Sequence, residues 1–276
     1  MSCKLICIDM DGTLLNDQHE VTEENKIALK KAVDKGVIIA ITTGRLFVSA
    51  RQYTEMLGIK ASIIASNGTY IREKDEEKVI FKHPFSREQF NKICTIFRKY
   101  NVKKYFNTYN TLITNEMPEE DHGYVISNKI APEHLKINFG VHRDFKEIYD
   151  IYKDEILKGI VIDRNHEILK EIKKELKAAG DLEVVSSGAD NVEVMAAGTS
   201  KGNGVKAYAE ILGIKKEDIM CIGDNENDVS MIKYAGIGVA MGNGTDELKE
   251  IANYVTDTNN NSGVAKAINK FALNIE

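Results

Sequence analysis

Five short apolar runs, at residues 5–8, 37–41, 63–65, 219–222 and 237–241, each stop abruptly at polar residues or glycine. Unbroken apolarity over so few positions suits a strand covered on both faces, as in a parallel sheet, because a strand with one wet face would alternate. Helical periodicity fills the gaps and predicts helices over residues 22–35, 47–57 and 201–212, with Gly36, Gly58 and Gly213 just past their ends. A left-handed residue closes many helices there, and glycine adopts that conformation without a steric penalty. Strands alternating with helices form βαβ units, so the chain is expected to be α/β, with a doubly wound, Rossmann-like parallel sheet. Sheets of this kind put their chemistry at the carboxyl ends of the strands. Those ends are residues 9–12, 42–45, 66–68, 223–228 and 242–244.

The middle of the chain reads differently. A hairpin is expected from residues 69–72 and 79–82 around the charged turn 73–78, and Ser86-Arg87-Glu88-Gln89 has the pattern of a capping box opening a helix to about Tyr100. Beyond it come strand-like residues 104–107 and 112–114, a polar loop, a helix-like 145–152, a strand-like 159–163, a helix at 167–179 and strands at 182–186 and 191–195. This α+β texture interrupting an α/β pattern predicts two domains: a discontinuous core of residues 1–83 and 190–276, and an insert of residues 84–189.

Composition then narrows the classes of function. With 276 residues, 43% hydrophobic, and only 3 prolines, the chain has the make-up of an ordinary globular protein. Its 37 Lys and Arg against 42 Asp and Glu give a net charge of −5, which argues against nucleic acid or an anionic membrane as a partner. The Lys-rich segments 170–177 and 215–216 alternate with Glu or apolar residues and read as solvated helix faces. No apolar run approaches the ~20 residues of a membrane helix. Met1-Ser2-Cys3-Lys4 leads straight into the first strand-like run with no signal-peptide pattern, so the cytoplasm is the expected location. Cys3, Cys7, Cys94 and Cys221 share no C-x-x-C spacing and are expected to be buried, reduced thiols. The 6 histidines form no zinc-binding pattern.

Two strand ends concentrate carboxylates. The first run delivers Asp9-Met10-Asp11-Gly12-Thr13, and in extended chain residues i and i+2 point the same way, so both carboxylates address one point above the sheet edge. Two carboxylates so close can bind a divalent cation or divide labour, one ionised and one protonated. The run at 219–222 leads into Gly223-Asp224-Asn225-Glu226-Asn227-Asp228, a second acidic cluster at the same edge. Hard cations such as Mg²⁺ favour this arrangement of one or two carboxylates plus substrate phosphate. Between the clusters, Thr42-Thr43-Gly44-Arg45 offers a hydroxyl, a backbone N–H and a guanidinium before a helix N-terminus suited to an anion. Downstream, Lys201 opens another helix, where its ammonium can meet a phosphoryl oxygen.

In this order the motifs resemble those of the haloacid dehalogenase-like phosphohydrolases, and within them the Cof-type sugar phosphatases with a type IIB cap. D-x-D-G-T at Asp9 to Thr13, the Thr of T-G-R at Thr43, Lys201, and G-D-x-x-N-D at Gly223 to Asp228 carry the resemblance, and Ser66-Asn67-Gly68 matches the S-N-G element of these proteins. The resemblance covers essentially the whole chain and assigns the insert as the cap. It implies Asp9 as nucleophile and Asp11 as general acid and base. It implies Mg²⁺ held by Asp9, the Asp11 carbonyl and Asp224, with Asp228 orienting Lys201 or a metal-bound water. It implies a phosphoryl grip by the Met10 and Gly44 N–H groups, Thr43, Lys201 and Asn227, with Arg45 and Asn67 contributing to substrate contact or cap docking. Ion-pumping relatives carry Thr two residues after the nucleophile, where this chain has Asp11, which favours rapid hydrolysis over a long-lived phosphoenzyme.

The implied activity is hydrolysis of small phosphorylated metabolites, sugar phosphates first, with phosphorylated cofactors next. Two alternatives share these motifs. A phosphomutase of the phosphomannomutase type needs a second phosphate site in the cap, for which Lys103, Lys104 and Arg143 are the candidates. A silent Mg²⁺- or phosphate-binding regulator would not need both Asp9 and Asp11. Tyr105, Phe106 and Tyr109 read as core or sheet surface before pocket lining. For assembly, a monomer or weak dimer is the expectation.

Overall fold

The computed structural model describes residues 3–145 and 147–275. The first stretch supplies β1 (Leu5–Asp9), β2 (Ile38–Thr42), β3 (Ser62–Ala65), β4 (Tyr70–Glu73) and β5 (Val79–Lys82). The insert supplies β6 (Lys103–Asn107), β7 (Thr111–Thr114), β8 (Asn138–Val141), β9 (Lys158–Ile162), β10 (Leu182–Val185) and β11 (Asn191–Ala196). The chain then returns with β12 (Ile219–Gly223), β13 (Ile237–Ala240) and β14 (Tyr254–Val255). Among the described residues these build an eight-stranded sheet, ordered β14-β13-β12-β1-β2-β3-β4-β5, and a six-stranded sheet, ordered β10-β11-β9-β6-β7-β8.

From β14 to β3 the large sheet is parallel, and β4 and β5 close one edge as an antiparallel hairpin. Alternate residues of its central strands go to opposite faces, and both faces are buried: Ile6, Ile8, Ile39 and Ile41 on one, Leu5, Cys7, Ala40 and Cys221 on the other. That double burial is why these strands are continuously apolar, each large side chain contributing ~1.5–3 kcal/mol. Strand order reverses at β1, which pairs with β2 on one side and β12 on the other. The crevice at such a switch point is where an α/β sheet binds its ligand.

Helices Glu23–Asp34 and Lys201–Leu212 stop where glycine was expected to stop them, with Gly36 and Gly213 at φ of 82° and 68°. The capping box at Ser86 is present, and its helix runs Arg87–Phe97. Three expectations need correction. The six-stranded sheet includes β11, so the insert's sheet continues past residue 189 to Ala196; β11 belongs there because it pairs with β9 and β10. The supposed polar loop after β7 contains helix Gly123–Ile130 and β8. That helix buries no residue and β8 is a short edge strand paired, among the described residues, with β7 alone, so neither leaves an amphipathic pattern. The helix expected over 145–152 is the shorter Ile148–Tyr152. All four cysteines are free and buried, and burial pushes Cys3 up to about 11 and Cys94 up to about 12. Among the described residues, no helix is long and apolar enough to cross a membrane.

Candidate active site

Strand β1 ends at Asp9, which is 5% exposed, and there Lys201 reaches it from the first turn of helix Lys201–Leu212. The Lys201 ammonium donates to Asp9 Oδ1 at 2.6 Å and to Asp228 Oδ1 at 2.5 Å. Burial opposes the lysine charge, yet Asp228 and Asp9 outweigh it and hold the ammonium above the ordinary lysine range. The second Asp228 oxygen accepts the backbone N–H groups of Asp224 and Asn225, which pins the acidic loop after β12. Thr13 donates its hydroxyl to Asp224 Oδ1 at 2.7 Å, tying the two acidic strand ends together.

One oxygen from each of Asp9, Asp224 and Asp228 lies within 4.8 Å of the others. Burial, then the Asp228 charge, pushes the Asp9 carboxyl well up, and the same two causes in the same order raise Asp224 to about 6. Three carboxylates here share one ammonium, and their mutual repulsion favours either protons or a cation between them. A divalent cation relieves that repulsion, and an all-oxygen donor set suits a hard ion. The residues therefore fit the metal that the resemblance implies.

Asp11 faces Arg45, which grips it with two hydrogen bonds: Nε to Oδ2 at 2.7 Å and Nη2 to Oδ1 at 2.6 Å. Burial alone would raise the Asp11 carboxyl, but the Arg45 hydrogen bonds and charge hold it below the usual carboxylate range. The Arg45 guanidinium also lies 4.6 Å over the Tyr53 ring. Asn67 sits in the left-handed region at φ 56°, where its side chain accepts from Asn227 Nδ2 and donates to Glu193 Oε2 at 2.6 Å.

A cavity of about 230 Å³ opens above this edge. Asp9, Asp11, Thr43, Gly44, Arg45 and Asn227 line it from below, whereas Met10, Lys201, Asp224 and Asp228 lie outside its lining. The insert's sheet forms the opposite wall, and period-two alternation decides which residues face it. Tyr105 and Asn107 of β6, Leu112 of β7, Lys158, Ile160 and Ile162 of β9, and Glu193 of β11 look into the cavity. Phe106, Ile113, Val161, Val192 and Val194 pack into the insert's own core. Lys158 and Glu193 form a buried ion pair at 2.7 Å, and Lys158 also donates to the Gly44 carbonyl.

Sequence reasoning missed Lys158, Glu193 and Asn107, and gave Tyr105 a structural reading. The signal was present in Lys158 and Glu193, each a lone charge in an otherwise apolar strand. Lys173 lies in a segment whose pattern is that of a solvated helix face, yet it donates to both oxygens of Glu226 at 2.6 and 2.8 Å, across to the core. The three cationic candidates for a second phosphate site lie elsewhere. Lys103 pairs with Glu119, Lys104 donates to the Phe97 and Tyr100 carbonyls, and Arg143 is exposed.

Comparison with known proteins agrees with this geometry. The family model of haloacid dehalogenase-like hydrolases matches residues 6–268. The Bacillus subtilis 5-amino-6-(5-phospho-D-ribitylamino)uracil phosphatase YcsE is 35% identical over 98% of this chain and 96% of its own length. Phosphatase YwpJ of the same organism is 32% identical over 95% of this chain and 97% of its own. Among solved structures, a haloacid dehalogenase-like hydrolase from B. subtilis superposes with a TM-score of 0.86 at 30% identity, over 97% of this chain and 99% of that one. A HAD subclass IIB sugar phosphatase superposes with a TM-score of 0.78 at 27% identity, over 98% and 99%. The chain thus belongs to the haloacid dehalogenase-like hydrolases, in their Cof-type branch, and is a phosphatase whose inserted domain is the cap.

Proposed function

We propose that the enzyme hydrolyses small phosphomonoesters, sugar phosphates and phosphorylated cofactors among them, through an aspartyl-phosphate on Asp9 and with Mg²⁺ as its ion. The observation that carries this reading is the Asp9–Lys201–Asp228 chain beside Asp224, with Asp11 two residues beyond the nucleophile. The small cavity and the phosphatase relatives support it.

Asp9, Asp224 and the Asp11 carbonyl would hold the cation, which when bound shields the anionic nucleophile from the anionic ester. Lys201 occupies Asp9 Oδ1 and so orients Oδ2 for in-line attack on phosphorus. As the Oδ2–P bond forms and the ester P–O bond breaks, Asp11 gives its proton to the leaving oxygen, which requires Arg45 to leave Asp11 for the phosphoryl group first, because its grip keeps the carboxyl ionised. Water then attacks phosphorus, Asp11 takes up its proton, and the Asp9–P bond breaks. Thr43, Asn227, Arg45 and the Met10 and Gly44 N–H groups bind the phosphoryl oxygens as their charge redistributes. Asp228 acts through Lys201 and the acidic loop, holding both in place.

Phosphate release from sugar phosphates, nucleotides and cofactor phosphates, with and without Mg²⁺, tests the reading. Wild type is expected to need the metal, Asp9→Asn to be inactive, and Asp11→Asn to lose ~10²–10⁴-fold in kcat while remaining folded. Equal release by wild type and Asp9→Asn sinks the proposal.

A further inference from the structure

The wall of the cavity facing the catalytic strand ends is where the alcohol being released must lie, because the phosphoryl group is held on the opposite side. Most polar groups named on that wall are already engaged. Lys158 is spent on Glu193 and the Gly44 carbonyl, and Glu193 on Lys158 and Asn67. Asn107 differs. It is 2% exposed, it lines the cavity, and its Oδ1 has no hydrogen-bond partner among the described residues.

Nothing in its place in the sheet calls for an amide. Asn107 stands in register between Lys158 and Leu112, and Tyr105, two residues earlier on the same face, is aromatic. A leucine would fill this position without leaving a buried polar group dry, and an unpaired buried acceptor is costly. Native structures seldom keep such a group unless something satisfies it part of the time.

We propose that Asn107 is a specificity-determining residue that hydrogen-bonds a hydroxyl or N–H of the leaving group. The proposal rests on the phosphatase reading above and deepens it by naming a substrate class. Leu112 stands opposite Asn107, Tyr105 and Ile160 follow on the same face beside Lys158, and Ile162 continues the wall, so apart from the engaged Lys158 this part of the lining is mostly apolar. The favoured esters therefore carry one donor turned toward Asn107 and a ring or carbon-chain face turned toward these side chains. Sites built to hydrogen-bond a substrate donor discriminate strongly against analogues that lack it, since their own polar group is then left unpaired.

The test compares kcat/KM for glucose 6-phosphate, ribose 5-phosphate, pyridoxal 5′-phosphate and flavin mononucleotide, all donor-bearing, with that for p-nitrophenyl phosphate, which has a ring and no donor. For the best donor-bearing ester, Asn107→Leu is expected to lower kcat/KM at least about tenfold further than for p-nitrophenyl phosphate. Asn107→Ser, which keeps a shorter polar side chain, reads the same ratio should the leucine variant fail to fold. An unchanged ratio overturns the assignment of Asn107. So does a wild type that prefers p-nitrophenyl phosphate to all four, and either result leaves the phosphatase reading standing. Absence of release from every ester by the Mg²⁺-supplied wild type overturns both.

Discussion

Gly12 fixes how closely the two acidic strand ends can approach. Its φ of 77° lies in the left-handed region, and a Cβ added there would stand 2.6 Å from Asp224 Oδ2. Gly12→Ala therefore strains the backbone by roughly 1 kcal/mol and pushes Asp224 off its Thr13 hydrogen bond. The expected outcome is a rise of about tenfold or more in the Mg²⁺ concentration for half-maximal phosphate release, with little change in melting temperature. A variant with wild-type metal dependence would show that Asp224 has room to spare. At this scale the sequence was informative where residues sit close along the chain, as in Asp9, Asp11 and Gly12. It was silent on Asn107, and although Lys158 and Glu193 each stand out as a lone charge in their strands it did not show that they pair, because those contacts are made between segments by a sheet face that one sequence does not orient.

Among elements, the strands and helices of the core were legible because burial on both sheet faces leaves unbroken apolar runs, and glycine marks the helix ends. Among the elements that escaped are helix Gly123–Ile130, β8 and the two-residue β14, none of which buries a residue to impose a period. The segment after β14 is held by a local device instead. The Asp257 carboxylate accepts from the Lys266 ammonium at 2.5 Å, the Thr258 N–H at 2.7 Å and Asn261 Nδ2 at 3.2 Å. Lys266, then Thr258 and Asn261, lower this carboxyl to about 2. A depressed folded-state value contributes stability that is present above the unfolded carboxyl value of ~3.9 and is lost as pH falls toward 2. Urea denaturation is thus expected to show wild type more stable than Asp257→Ala by a constant margin from pH 7 to about 5. That margin should shrink between about pH 4 and 2, and one that stays constant to pH 2 would contradict the assignment.

For the whole molecule, the decisive contacts are those that hold the cap down on the core. Lys173–Glu226 is half-exposed, and such pairs are worth ~0–1 kcal/mol. Val48 N–H donates to the Tyr109 carbonyl, Gln52 to the Leu135 carbonyl, and Tyr70 stacks on Tyr109 at 5.7 Å. The Lys158–Glu193 pair differs in kind, with both side chains 3% exposed in the seam and tied to Gly44 and Asn67 of the core. Removing one member of a buried pair strands the other charge, which in a rigid core costs ~3–5 kcal/mol. Here the stranded lysine has another outlet, since opening the cap returns it to water. Glu193→Ala is therefore expected to open the molecule before it unfolds it. Small-angle scattering should report a larger radius of gyration, and hydrogen exchange should rise in β6, β9 and the Ser66–Gly68 turn. Exchange in β1 and β12, at the centre of the large sheet, should stay slow. Phosphate release should fall because the cap wall no longer excludes water or meets the leaving group. Global loss of protection in β1 and β12 would instead mean that the two domains unfold as one unit, and that the ion pair belongs to a single shared core.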